Sequence, residues 1–168
     1  MGRPEKKRDK KGRADRGAGI SLFSAAANVV GYISDANRLA IMRPIYLAAE
    51  CLRYELAVKA DWNLLTDMGN LSIELADLGI CTDEESKQII FRGLSTLGRI
   101  ANRFHSWGKL QATKAEMEAI DLAVERHEIQ LLFTTKLDLC EALMRLEKLK
   151  RQARKRANTI NLEVRRAA

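Results

Sequence analysis

The chain is predicted to be all-α: a helical bundle of about five or six helices with a long C-terminal helix. Three observations predict it. Ala and Leu are plentiful, and with Glu, Lys, Arg and Met they lose little freedom on entering a helix. Helix breakers are rare, with only Pro4 and Pro44 among 168 residues. Apolar residues recur at spacings of three and four, and no run shows the alternation that a half-buried strand needs. Apolar residues make up 46% of the chain and charged ones 30%, which suits one folded, soluble domain with a real core.

Residues 1–17 hold no large apolar side chain after Met1, so they are predicted to be a disordered basic tail. A helix is predicted over 21–34, with Ile20, Phe23, Ala27, Val30, Tyr32 and Ile33 on a broad apolar face. Asp35 and Asn37 then break and recap the chain. Pro44 lacks an amide proton and suits a first helical turn, so it is predicted to open a helix over 44–60. Ile45, Ala48, Leu52, Leu56 and Lys59 step along one stripe of it.

Asp61 is the expected N-cap of the next helix, whose apolar face is Leu64, Leu65, Met68, Leu71, Leu75 and Leu78. Gly79 is its stop signal, and Gly69 within it marks close packing or a kink. Thr82-Asp83-Glu84-Glu85 matches a capping box for a helix that continues through Ile90, Leu94, Leu97 and Ile100 to about Trp107-Gly108. Gly93 and Gly98 are expected to let a neighbouring backbone approach. Thr113 and Glu116 form a second capping box. The helical pattern after it lasts to about residue 157, bent near Thr134 and Thr135. So long a run hints at a projecting or coiled-coil segment, although Lys136 and Lys150 interrupt the seam.

Several function classes fall away. Residues 17–34 are uncharged and follow a basic leader, as in a signal peptide. The leader holds three acids, however, and Asn28 and Gly31 interrupt a stretch already short for a bilayer. The expectation is a cytoplasmic protein that does not insert in a membrane. Cys51, Cys81 and Cys140 are odd in number and far apart, which argues against a disulfide framework. Cys51 and Cys140 read as core fillers. Cys81 sits before a helix N-terminus, where the dipole would lower its pKa. His105 is expected at a helix end and His127 on the surface, and neither belongs to a metal motif. Glu118, Asp121, Glu125 and Glu128 share a helix face, where ordinary surface pairing explains them. Gly17-Ala-Gly19 lacks the Lys-Ser/Thr of a phosphate loop. No enzyme activity, cofactor or metal is expected.

Charge supplies the lead. Residues 1–17 have a net charge of +5, residues 145–168 have +7, and the body between them has −5. Two basic ends on an acidic body suit a polyanion. Gly2-Arg3-Pro4 resembles an AT-hook core, in which an extended Arg-Pro segment lies in the minor groove; Glu5 and Asp9 depart from that pattern. The sequence thus divides into a basic tail (1–17), a helical body (18–145) and a basic helical extension (146–168).

The expected function is non-catalytic binding of nucleic-acid phosphates. The residues expected to do it are Arg3, Lys6, Lys7, Arg8, Lys10 and Lys11 in the tail, with Lys148, Arg151, Arg154, Lys155 and Arg156 near the C-terminus. The helix pair around Gly79–Thr82 has the short connection of a helix-turn-helix, but its second helix begins with Glu84 and Glu85, which repel phosphate. Leu139, Leu143, Leu146 and Leu149 are expected to pack on another helix, in this chain or a second copy. The alternative is a helical adaptor for protein partners with no nucleic-acid role, and anionic lipid is a third class of target.

Overall fold

The computed structural model describes residues 31–167, and for His105, Trp107 and residues 156–167 the backbone only. Five helices follow one another: α1 (Asp35–Arg53), α2 (Lys59–Asp77), α3 (Glu84–Trp107), α4 (Lys114–Phe133) and α5 (Lys136–Ala167). The all-α bundle is therefore present, and the described residues contain no strand. The core is continuous, and Met42, Leu52, Leu65, Leu75, Ile100, Ile120 and Leu131 are among its side chains with essentially no exposure. The central element is α2, which packs against each of the other four helices. Trp62 on α2 donates its indole N–H to the Leu97 carbonyl of α3 at 3.0 Å.

The start of the chain corrects one expectation. Residues 31–34 are not helical; the predicted helix over 21–34 otherwise lies outside the described residues. Gly31 adopts φ +114°, a conformation open to glycine. The Ile33 amide donates to the Thr134 carbonyl at 3.1 Å, and the Lys136 amide donates to the Gly31 carbonyl at 3.0 Å. Tyr32 thus forms an isolated antiparallel bridge with Thr135, and Ile33 is buried. This segment fastens the beginning of the described chain to the junction of α4 and α5.

Ser34 caps α1 by accepting from the Asn37 amide at 3.3 Å. The helix runs through Pro44 instead of beginning there. Burial of Ile41 and Met42 before the proline, and of Ile45, Ala48 and Ala49 after it, outweighs the one missing helical hydrogen bond. The helix also stops at Arg53, short of residue 60, because Glu55 takes a left-handed φ of 60°. Asp61 does cap α2, but from inside the first turn: its carboxylate accepts from the Val58 amide at 2.8 Å.

Gly79 ends α2 region with φ +96°, and Cys81 follows at φ 52°. Two left-handed residues so close together move the α3 cap one residue on. Asp83, not Thr82, accepts from the Ser86 amide, at 2.8 Å. The Thr113–Glu116 box of α4 is present in both directions. Thr134 then breaks the predicted single long helix, with ψ near 128°. Its hydroxyl returns to the Gln130 carbonyl at 2.7 Å, while Thr135 and Asp138 cap the new helix reciprocally. The expected bend is thus a full break between two separately capped helices.

Candidate nucleic-acid interface

Position on α5 sorts its side chains by spacing. Leu139, Ala142, Leu143 and Leu146 are buried, and α2 is the helix against which α5 chiefly packs. The leucine seam is therefore spent inside this chain and is not left for a second copy. Leu149 does not join it and is 51% exposed. Packing continues past residue 145, because Lys150 Nζ reaches Asp67 Oδ2 on α2 at 2.6 Å. Lys150, which interrupts the apolar repeat, is thus the point where α5 is clamped to α2.

The opposite face of α5 carries Leu137, Met144, Lys148, Arg151 and Lys155, all exposed and recurring at helical spacings. Lys148, Arg151 and Lys155 rise about 10 Å along the axis on this single face. Arg154 is also exposed but projects to the side nearer Lys150. Lys148, Arg151 and Arg154 have no ion-pair partner among the described residues. Arg145 belongs elsewhere, since it pairs with Glu141 at 2.5 Å. The Arg156 side chain, and Arg3, Lys6, Lys7, Arg8, Lys10 and Lys11, lie outside what is described.

The remaining candidates resolve into structural parts. Asp121 accepts both oxygens' worth of hydrogen bonds from Arg53 Nη2, each at 2.9 Å, joining α4 to α1. Glu128 accepts from the Tyr46 hydroxyl at 2.5 Å; burial and this carboxylate push the tyrosine up to about 12. Among the described residues no group of three or more His, Cys, Asp or Glu is placed to hold a metal ion. The Cys81 thiol is pushed up, not down, because partial burial and the neighbouring Asp83 carboxylate outweigh the helix terminus.

His127 is the largest correction. It is not on the surface but fully buried, with Nδ1 2.7 Å from the Ser72 hydroxyl oxygen. Gln130, also fully buried, donates to the carbonyls of Ser72 and Ile80 at 3.1 and 3.4 Å. Burial holds the ring well below its ordinary value, at about 4, so it is neutral at pH 7. His127 Nε2 and Gln130 Oε1 have no hydrogen-bond partner. A Ser–His pair without solvent access has no route to a substrate, so the pair serves packing between α2 and α4. The sequence held one signal for it: His127 lies three and four residues from Val124, Ala123, Gln130 and Leu131, the inner stripe of α4.

A second missed pair is Arg103 with Glu116, joined through both carboxylate oxygens at 2.7 and 2.6 Å. Arg103 also donates to the Gln111 carbonyl, closing the α3–α4 connection. No protein-family model, curated protein or solved structure matches the chain.

Proposed function

We propose that this protein is a non-catalytic binder of nucleic-acid phosphate backbones that acts through its basic ends. One observation supports the reading above the others. Lys148, Arg151 and Lys155 stand on the exposed face of α5, opposite the stripe buried on α2. Folding thus leaves the outer face of this helix cationic while the body of the chain stays net acidic. Exposed cations of this kind neutralise phosphates, release counterions and give salt-dependent affinity without sequence preference.

The test is fluorescence anisotropy with labelled DNA and RNA across a salt series. Removing residues 146–168 would also remove buried Leu146 and the Lys150 clamp, so charge substitution is the cleaner perturbation. The full chain is compared with Lys148→Glu/Arg151→Glu and with a chain lacking residues 1–17. Binding with a steep salt slope that weakens in both variants is the expected result. No binding at low salt overturns the proposal.

A second reading, a helical adaptor, draws on the connection between α1 and α2. Tyr54, Leu56 and Val58 are each at least 60% exposed there. Three large apolar side chains in one connection form a surface that a protein partner would cover.

A further inference from the structure

We infer that the target of the α5 face is double-stranded, not single-stranded, nucleic acid, held by its phosphates without base readout; the inference rests on the function proposed above. The first ground is charge density. The row from Lys148 to Lys155 is fixed on a helix face and spans about 10 Å. A duplex presents roughly six phosphate charges over such a length, one strand roughly three. A single strand must also be ordered along the helix to meet the same row, and that ordering weakens its binding.

The second ground is the chemistry around the row. Proteins that hold single strands stack bases on aromatic side chains. Residues 136–168 and 1–17 contain no Phe, Tyr or Trp. Exposed aromatic side chains do occur at the base of α5, where Tyr32 bridges to Thr135 and Phe133 ends α4. Lys148, however, lies about 18 Å along the helix from Lys136, too far for a base to stack there while its own phosphate meets the row. Met144 and Leu137 occupy the face between, and neither offers a flat surface to a base.

The experiment is competition anisotropy on the full-length chain. A duplex of about 20 base pairs competes against each of its component strands at equal phosphate concentration, over a salt series. The expected result is that the duplex competes about tenfold or more better, with the steeper salt slope of B-form DNA. In Lys148→Glu/Arg151→Glu the preference is expected to collapse, with helicity by circular dichroism unchanged. Single strands competing as well as the duplex overturn this inference while leaving the proposed function standing. A duplex preference that survives in the double variant removes its assignment to α5. Failure of both ligands to bind overturns the proposed function itself.

Discussion

Lys150 Nζ lies 2.6 Å from Asp67 Oδ2, tying the middle of α5 to α2. The pair divides a run of basic residues into two kinds. Lys150 faces the bundle and is already matched by a carboxylate, whereas Lys148 and Arg151 face outward. Charge counted along the chain treats them alike; the fold does not.

A salt titration should report this division. Replacing Lys148 or Arg151 with Ala is expected to reduce the slope of log affinity against log salt by about 0.9 each. Lys150→Ala is expected to leave the slope unchanged and to cost less than about 1 kcal/mol of stability, because both partners are partly exposed. A slope that falls equally for all three would show that Lys150 leaves Asp67 to meet phosphate.

Buried His127 makes stability depend on pH. Its folded pKa of about 4 lies below the ordinary 6.5, so the unfolded chain binds more protons between those values. Stability is therefore full above pH 6.5, falls as the pH drops toward 4, and gains no further loss from this group below 4. The loss is of the order of 3 kcal/mol. Urea denaturation from pH 7 to 4 measures it, and His127→Gln should flatten the slope over that window. An assigned His127 ring signal titrating near 6.5 in the folded protein would contradict the burial.

Glu116 adds a second, more acidic window. Hydrogen bonds from Arg103, aided by the Thr113 amide, hold its carboxyl down to about 2 against an ordinary 4.5. The unfolded chain then takes up the proton first, so this contribution is present above pH 4.5 and is lost as the pH falls toward 2. Glu116→Gln retains a cap for the Thr113 amide but loses the charged pair. It is expected to cost about 1–3 kcal/mol at neutral pH and to remove the lower window from the stability profile. Unchanged neutral stability would mean that the pair contributes nothing net.

Two glycines of α3 should respond in opposite directions. A Cβ at Gly93 would stand 2.6 Å from Ala123 Cβ on α4, so the helices must part, at about 1–3 kcal/mol. A Cβ at Gly98 meets nothing within 4 Å, so Gly98→Ala should stabilise by about 0.5–1 kcal/mol through helix propensity alone. Thermal melts of the two variants decide it, and shifts of the same sign would count against this packing of α3 on α4.

That contrast also shows what was legible in the sequence. Spacing of Leu65, Met68, Leu71 and Leu75 located α2 and its inner face, since helical periodicity follows burial directly. It could not tell Gly93 from Gly98, because which glycine meets a neighbour depends on the crossing of two helices. Pattern also placed only a bend at Thr134, where the structure has a full break. The residues after it resume the same period, and only the Thr135–Asp138 cap and the docked Gly31–Ile33 segment end one helix and begin another. At the candidate site, composition gave the charge of α5 but not its direction. Lys148 and Lys150 became distinguishable only once Asp67 had a place.

Pro44 offers a test of why α1 forms at all. It sits inside a helix running from Asp35 to Arg53, where its ring displaces the hydrogen bond that residue 44 would donate to the Ala40 carbonyl. The helix persists because Met42, Ile45, Ala48 and Leu52 are buried on either side of it. Pro44→Ala restores the missing donor and a favourable helix residue, a gain of up to about 3 kcal/mol. Greater freedom of the unfolded chain offsets about 0.4–1 kcal/mol of that. The urea midpoint should therefore rise with an unchanged slope. A lower midpoint would mean that contacts of the half-buried ring stabilise the fold by more than the helical hydrogen bond it displaces.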